Sequence, residues 1–418
     1  MVQKDNQKQK KLLKNTIFLY ILTFSTQLLS LITVPYLTRV LGPAAYGRLG
    51  VALSLMAYAQ LVLDFGFILS ATEMVSGFSE DRKELCRIVS SVTIIKLSLG
   101  VLFGLVLSVI CKSIKALQDD FVLYMLFFFA YLVNSFLPDY LYRGKEEMKQ
   151  ITVRTVGIKV LFTILMLVGI KSDKDILLYP IFLLTGNLIA VLWSYIDVRK
   201  KYGVSFCVVN YDTVKVLFKK TFPFFISRIA ATFYQAANTL IIGILYPGQP
   251  VVGYYSSADK MMSMVKSTAS PIADSLYPYM MKNKDFKLIK KIMLIATPVI
   301  LIGASVGFIY AEPISIILFG KEYADAKNIL RCLIPGMMVI LPTYVICFPV
   351  LVPLGLSKYA NLSNVIGAIL QVFFLFILWI SNNLNVYTIC LFSSVSEVAV
   401  FIFRASVAYK HRHLISER

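Results

Sequence analysis

Twelve long runs of apolar residues constrain this chain more than any other feature of its sequence. Each run holds about 20 residues or more, which is enough for a helix to cross the hydrocarbon core of a bilayer. The runs are 15–39, 45–72, 84–111, 119–141, 149–171, 175–198, 215–242, 252–280, 287–311, 326–353, 359–381 and 385–410. Inside lipid a segment must satisfy its own backbone hydrogen bonds, so runs of this kind form helices. The sequence therefore predicts an all-α polytopic membrane protein with about twelve transmembrane helices.

The basic residues predict how the chain is oriented. If the N-terminus lies in the cytoplasm, 28 of the 42 Lys and Arg residues lie in the termini and loops on that side, and 8 lie in the opposite loops. Cytoplasmic loops carry an excess of Lys and Arg, so we expect both termini in the cytoplasm. The net charge of +19 follows mainly from this bias. No basic patch belongs to a folded soluble module, so we expect no nucleic-acid partner.

The two halves of the chain resemble each other weakly. The segment "AAYGRLG" around Gly47 is similar to "VVGYYSS" around Gly253, an offset of 206 residues. Six spans in each half return the chain to its starting side, which predicts two parallel repeats around a central cavity. The expected divisions are a basic tail at 1–14, a six-helix bundle at 15–198, a linker at 199–214, a second six-helix bundle at 215–410 and a tail at 411–418.

Several charged residues fall inside the predicted spans. Each basic residue there costs about 2.5–3.5 kcal/mol on insertion scales, and such residues normally face a bundle interior or a watery cavity. The basic ones are Lys96, Lys159, Arg228, Lys260, Lys266 and Arg331. The deepest acidic ones are Asp64, Asp259, Asp274 and Glu397.

Helical phase predicts that many of these charges share polar faces, because positions seven apart fall nearly in line. The polar faces include Asp259, Ser263, Lys266, Ser270 and Tyr277 with Asp274 beside them, Arg228 with Gln235, Asp64 with Gln60, Gln27 with Thr23, and Lys159 with Thr155 and Thr163. Spans 1, 2, 7 and 8, which are the first two spans of each half, each carry such a face. Ion pairing between packed helices is the structural alternative for each charge.

Two segments carry a resemblance to a known family. "VPYLTRVLGPAAYGRLGVALSLMAYAQLVLDFGFILSATEMVS" and "VGYYSSADKMMSMVKSTASPIADSLYPYM" resemble the most recognisable parts of Wzx-type flippases in the multidrug/oligosaccharidyl-lipid/polysaccharide exporter superfamily. The resemblance implies alternating access around a cationic cavity. It also implies transfer of undecaprenyl-pyrophosphate-linked O-antigen or related repeat units to the outer leaflet of the bacterial inner membrane. A polysaccharide polymerase and a chain-length regulator are the protein partners that the resemblance implies.

The chemistry of the polar faces is compatible with such a cargo. Basic side chains in a cavity of low dielectric attract a pyrophosphate. We therefore expect Arg228, Lys266, Gln235, Gln27 and Lys159 to bind substrate. The acidic residues Asp64, Asp259, Asp274 and Glu397 are expected to act in gating or in coupling to H⁺ or Na⁺, and no spacing selects between these ions.

An enzymatic function is disfavoured by the sequence. The six cysteines are scattered without a CxxC pair, and the two histidines, His411 and His413, lie at the tail, so no metal site, catalytic residue or cofactor is expected. A membrane polysaccharide polymerase is the leading enzymatic alternative, but it would need a large outer loop or an acidic cluster beside the membrane. A cation-coupled drug or solute antiporter of the same superfamily is the other alternative, and it would favour a cavity rich in carboxylates.

Overall fold

The described chain consists of helices, the connections between them and no strand. The computed structural model describes the backbone of residues 2–78 and 80–411, and it describes side chains from Lys14 onward except at 79, 227 and 230–235. The helices are α1 (Val2–Asp64), α2 (Phe67–Gly77), α3 (Arg82–Ser113), α4 (Lys115–Gln118), α5 (Phe121–Ser135), α6 (Asp139–Gly144), α7 (Met148–Gly169), α8 (Leu178–Tyr202), α9 (Tyr211–Leu245), α10 (Pro250–Asn283), α11 (Phe286–Ile309), α12 (Ala311–Phe319), α13 (Ala326–Val345), α14 (Ser357–Ile380) and α15 (Val386–Lys410). Two 3₁₀ turns, Asp173–Leu177 and Lys321–Tyr323, and a π-helical turn, Ile346–Leu351, lie between them.

The protein is a multi-pass membrane protein. Within the described residues, nine helical segments are long and apolar enough to cross a bilayer. The segment that contains α1 covers the first two predicted spans, and its backbone leaves the helical conformation at Gly42 between them. Helices α9 and α10 occupy the seventh and eighth predicted spans and lie outside the nine. The polarity of α10 follows from the charged residues within it. The all-α membrane fold is confirmed, whereas the count of twelve spans stays a prediction.

The second predicted span, 45–72, is not one continuous helix. Helix α1 ends at Asp64, and Phe65 and Gly66 both have positive φ, 45° and 88°, before α2 begins. Glycine adopts this conformation readily because it has no Cβ. A Cβ at Gly66 would also lie only 2.7 Å from the Cβ of Phe224. Apolarity alone predicted an unbroken run, and the backbone requirement at Gly66 overrides it.

Aromatic packing stabilises this break. The ring of Phe65 stacks on Phe218 and on Phe225, with centroids 4.7 Å apart in both pairs. Each such pair contributes about 0.5–1.5 kcal/mol beyond the burial of its surface. A left-handed backbone conformation at a residue other than glycine costs about 1–2 kcal/mol, so the two stacked pairs offset the strain at Phe65.

The fourth predicted span, 119–141, is also broken. Helix α5 ends at Ser135, and Pro138 precedes the first residue of α6, Asp139. Proline has no backbone N–H and clashes with a preceding helical turn, so it is tolerated at a helix start and disfavoured within a helix. The break places a carboxylate at the beginning of α6.

The chain separates into two compact units. Unit 1 comprises Met1–Leu41 and Val51–Thr232, and unit 2 comprises Gly42–Gly50 and Phe233–Arg418. The bundles expected from the sequence place all of α9 in the second half, whereas its first part belongs to unit 1. The side chain of Thr221 hydrogen-bonds Ser70 at 2.8 Å in unit 1, and Asn238 accepts a hydrogen bond from Gln371 at 2.8 Å in unit 2. One continuous helix therefore contributes to the packing of both units.

Within unit 2, segment 42–50 packs closely against the start of α10. A Cβ at Gly47 would lie 2.7 Å from the backbone nitrogen of Gly253, and a Cβ at Gly253 would overlap the carbonyl group of Pro43. Only glycine permits this approach. The two glycines that the sequence pairs as repeat equivalents are therefore in direct contact.

Candidate functional sites

The first group of intramembrane charges lies at the break after α1 in unit 1. Asp64 is the last residue of α1, and its Oδ2 lies 3.9 Å from Nη1 of Arg228 on α9. This separation allows charge attraction but is too long for a hydrogen bond. The Gln60 side chain, one turn earlier, hydrogen-bonds the same carboxylate. The side chains of Arg228 and Asp64 are 41% and 27% exposed, so both remain accessible.

Lys96 on α3 is buried beside this group. Its ammonium donates to the carbonyl of Ser135, which is available because α5 ends there. The ammonium also lies 5.8 Å from the ring centroid of Phe67, and it interacts electrostatically with Asp64 and Asp139. Helical phase places no polar side chain in line with Lys96 within its own predicted span. Its partners come from two helix breaks that hydropathy does not detect.

A second ion pair in unit 1 joins α6 and α7. Arg154 Nη2 lies 2.6 Å from Asp139 Oδ1, and Arg154 Nη1 donates to Ser194 Oγ at 3.1 Å. The count of loop charges placed Arg154 in a cytoplasmic loop, and this assignment is wrong because the residue is 5% exposed within α7. The partner of Arg154, Asp139, lies at the start of α6. The sequence signal for this helix start is the proline directly before it, Pro138.

A polar cavity of about 300 Å³ lies within unit 2. It is formed by side chains of α9, α10, α13 and α15. The lining residues are Asn238, Asp259, Met262, Ser263, Lys266, Ser267, Ser270, Tyr344, Ser393 and Glu397. Four of the five residues that helical phase placed on one polar face of α10 line it, and Tyr277 does not. The contributions of α13 and α15 could not be derived from phase, which relates residues only within one helix.

The described lining of this cavity contains more acidic than basic side chains. Lys266 Nζ lies 2.7 Å from Glu397 Oε1, and the two side chains are 25% and 11% exposed. Asp259 lines the same cavity and interacts electrostatically with Lys266 and Lys260. Among the described residues, none hydrogen-bonds the Asp259 carboxylate or pairs with it within 4 Å. The wall therefore presents two carboxylates and a single ammonium, which is already paired.

Neutral and basic groups are buried behind the cavity. Gln371 donates to Asn238 Oδ1 at 2.8 Å and accepts from Ser396 Oγ at 3.0 Å. Arg404, which the loop count placed at the cytoplasmic end, is instead 4% exposed within α15. It donates to Ser363 Oγ, to the carbonyl of Thr343 and to Asn364 Oδ1 at 2.7–3.0 Å. Arg404 thus donates hydrogen bonds to neutral groups, interacts electrostatically with Glu397 and does not line the cavity.

The other predicted site residues are placed elsewhere. Asp274 is exposed on α10, accepts a hydrogen bond from Ser270 at 3.1 Å and is not part of the cavity wall. Gln27 is half-buried on α1, and Lys159 is exposed on α7. The side chain of Gln235 lies outside the described residues. Over the described range, no group of three or more His, Cys, Asp or Glu side chains is placed to hold a metal ion.

The sequence is similar to a known protein family. The profile of the family described as "Polysaccharide biosynthesis protein" matches residues 12–284. The chain belongs to this polysaccharide biosynthesis protein family. Two relatives of this polysaccharide biosynthesis protein, each named "Putative O-antigen transporter", are 25% identical to it. The one from Shigella dysenteriae aligns over 87% of this chain and 92% of its own length, and the one from Escherichia coli K12 over 79% and 81%.

Solved structures confirm the fold of this polysaccharide biosynthesis protein. The lipid II flippase MurJ in an inward closed conformation superposes with a TM-score of 0.69 at 13% identity, over 94% of this chain and 87% of that chain. An inward-facing multidrug resistance transporter of the MATE family, in the MOP superfamily, gives a TM-score of 0.67 at 14% identity, over 93% and 96%. The family match therefore agrees with the resemblance that the two sequence segments carry, and these structures show that the fold is shared.

Proposed function

We propose that this protein transfers undecaprenyl-pyrophosphate-linked polysaccharide repeat units from the cytoplasmic to the outer leaflet of the bacterial inner membrane. Membership of the polysaccharide biosynthesis family and the O-antigen transporter names of two relatives support a saccharide cargo. The shared fold with a lipid flippase is compatible with a lipid-linked cargo. Fold alone does not define function, so the proposal depends on the chemistry of the charged residues.

The observation that carries the proposal is the position of Arg228. Its guanidinium is 41% exposed and lies 3.9 Å from Asp64, too far to donate a hydrogen bond to it. A guanidinium has five N–H donors in a planar fork that matches the oxygens of a phosphate. Lys96 adds a second positive charge close to Asp64. Asp139, the second carboxylate near Lys96, is paired with Arg154 at 2.6 Å. Three cations around two carboxylates leave an excess of positive charge, which suits a pyrophosphate.

The loose pair also suggests how the carrier responds to its cargo. In the empty carrier, Asp64 neutralises Arg228. An arriving pyrophosphate competes for the guanidinium and releases the carboxylate, which lies directly before the break at Phe65 and Gly66. Broken helices with charged ends are a recurrent site of substrate and ion binding in secondary transporters. We therefore assign Arg228 to anion binding and Asp64 to gating in an alternating-access cycle. Proton exchange at Asp64 is the form of ion coupling that we propose.

Reconstitution tests this function. Purified protein is placed in liposomes with a fluorescent, short-chain polyprenyl-pyrophosphoryl disaccharide, and an impermeant quencher reports transfer between leaflets. The protein should accelerate transfer over empty liposomes. Arg228→Ala should lower the rate about tenfold or more, because charge-assisted bonds to phosphate are strong. Arg228→Lys should retain part of the rate.

Lys220→Ala is the matched control, since Lys220 lies on the same helix and pairs with Glu73 at 3.1 Å on an exposed face. It should transfer at the wild-type rate. Transfer that is no faster than in empty liposomes, or an Arg228→Ala rate equal to that of wild type, contradicts the proposal.

A cation-coupled antiporter is the alternative, and the two carboxylates of the unit 2 cavity are the observation that favours it. The same liposomes, loaded to give an inward or outward H⁺ or Na⁺ gradient, distinguish the two functions. Gradient-driven movement of a cationic dye without transfer of the lipid-linked disaccharide would support the antiporter.

A further inference from the structure

The unit 2 cavity has a lining that differs in character from the surroundings of Arg228. Its polar groups are mainly hydroxyls and carboxylates, and its lysine is held by Glu397 at 2.7 Å. A volume of about 300 Å³ is at the small end of the range for ligand pockets, which begins near 300 Å³. The cavity therefore suits a small polar group rather than a second pyrophosphate.

The hydrogen-bonding capacity of the wall favours a ligand rich in hydroxyl groups. An ionised carboxylate only accepts hydrogen bonds, and its two oxygens take bonds from two adjacent hydroxyls. Asp259 has this capacity available, because no described residue donates to it. The serine hydroxyls both donate and accept, and Asn238 keeps its amide NH₂ as a donor because its oxygen accepts from Gln371. Met262 offers an apolar contact for the C–H face of a sugar ring.

The same wall opposes an anionic ligand. A sugar carboxylate can only accept hydrogen bonds, so it cannot bond Asp259 or Glu397, and it is repelled by both. The ammonium of Lys266 does not compensate, since Glu397 already occupies it. Arg404 interacts electrostatically with Glu397, and Lys260 with Asp259. Neither cation lines the cavity, so neither offers a donor to a sugar carboxylate there.

We infer that the unit 2 cavity is a saccharide subsite that binds an uncharged, hydroxyl-rich sugar of the cargo and discriminates against acidic sugars. This inference rests on the proposed function, because it assigns a sugar class to the same lipid-linked cargo. Asp259 is its specificity-determining residue. The Lys266–Glu397 pair keeps the one cation among the described lining residues unavailable to a sugar carboxylate.

Two monosaccharide glycosides test the inference directly. Methyl α-glucopyranoside and methyl α-glucopyranosiduronic acid differ only at C6, where one carries CH₂OH and the other COO⁻. Their binding to the detergent-solubilised full chain is measured by ligand-observed NMR titration. The glucoside should bind saturably, and the glucuronide about tenfold more weakly, as expected when a charged group meets like charge in a partly enclosed site.

Variants that each remove one carboxylate show which residue makes the protein prefer the glucoside over the glucuronide. Asp259→Asn should strengthen glucuronide binding and weaken glucoside binding, so that the preference falls to about threefold or less. Glu397→Gln should also reduce the preference for the glucoside over the glucuronide, because it removes the carboxylate that pairs with Lys266 and would repel a sugar carboxylate. Asp325→Asn removes the same charge from an exposed position in unit 2 and should keep the wild-type preference.

These measurements test the saccharide subsite separately from the flippase function. Equal binding of both glycosides to wild type, absence of saturable glucoside binding, or an unchanged preference in Asp259→Asn overturns the saccharide inference. The glucoside is uncharged, so its binding does not depend on an anion site at Arg228. The same titrations on Arg228→Ala separate glucuronide that is bound at Arg228 from glucuronide in the unit 2 cavity. Glycoside discrimination without transfer of the lipid-linked disaccharide would reject the flippase function and leave the subsite intact. Transfer of the lipid-linked disaccharide by a protein that binds both glycosides equally would reject the saccharide subsite and leave the flippase function intact.

Discussion

At the scale of single residues, the intramembrane charges differ in how tightly they are paired. Arg154 and Lys266 lie 2.6 and 2.7 Å from carboxylates, whereas Arg228 lies 3.9 Å from Asp64. Close pairs fix helices to each other, and a looser pair is easier to exchange for a ligand. Helical phase predicted Asp259, Ser263, Lys266 and Ser270 on one face because they lie on one helix, but it also placed Tyr277 there, outside the cavity. It could not predict that Glu397 pairs with Lys266, since that contact joins residues 131 positions apart.

Asp64→Asn should slow transport more than it weakens binding. The substitution preserves shape but removes the charge that neutralises Arg228 in the empty carrier, so reorientation without cargo becomes the slow step. Binding of the short-chain lipid-linked disaccharide and its transfer between leaflets are measured on the same purified protein. Normal transfer, or equal losses of binding and transfer, would exclude a gating role.

Lys266→Met should destabilise the protein, and adding Glu397→Gln should recover most of the loss. The single change leaves Glu397 at 8% exposure without its ammonium partner, whereas the double change also removes the Glu397 charge. We expect about 2 kcal/mol for the single variant, between the values for exposed and fully buried pairs. Thermal unfolding in detergent measures both. Equal unfolding temperatures for the single and double variants would show that the pair does not stabilise unit 2.

At the scale of elements, the positions of most helices follow from apolar runs, but the breaks within the runs do not. Hydropathy averages over many residues, and one glycine or proline barely changes the average. The local signals are Gly66 after Asp64 and Pro138 before Asp139. Both are backbone requirements rather than matters of polarity, and both place a carboxylate at a helix end, where Lys96 meets it. This is why the unit 1 charge group could be predicted only in part.

Gly66→Ala should lower both stability and transport. Its φ of 88° disfavours a side chain by about 1–2 kcal/mol, and the new Cβ would lie 2.7 Å from that of Phe224. Relief of that contact requires movement at the break beside Asp64. Gly157→Ala is the control, because this glycine lies within α7 with open space around it, and alanine favours a helix. Unfolding temperature and transfer rate should fall for Gly66→Ala only. Matching results for the two variants would contradict a special role for the break.

At the scale of the whole molecule, the sequence predicted an all-α membrane protein, and the fold confirms this. Charge counting was less accurate, because it treated Arg154 and Arg404 as loop residues. A linear sequence does not reveal that a basic residue near a span end is buried against neighbours. The bias of loop charges remains large without these two residues, so the orientation prediction keeps its basis.

Reporter fusions test that orientation. Fusions at Lys145 and Lys284 should report the cytoplasm, and fusions at Lys174 and Asn383 should report the outer side, because Lys and Arg concentrate in cytoplasmic loops. Each of these positions lies in or beside a connection between helices. An alkaline phosphatase or fluorescent reporter at each position provides the measurement. A reversed signal at two or more positions would refute the proposed topology.

The contact between Gly47 and Gly253 has a consequence for recombination between related genes. Unit 2 takes residues 42–50 from early in the chain, while unit 1 takes residues 211–232 from beyond the 203–210 connection. A crossover within that connection would give each unit segments from different parents. Glycine at one contact position would then meet whatever residue the other parent supplies, with no room for a side chain. Functional recombinants should therefore inherit 42–50 and 233–418 from the same parent, so the middle of this gene is a poor place for a breakpoint despite its location between two repeats.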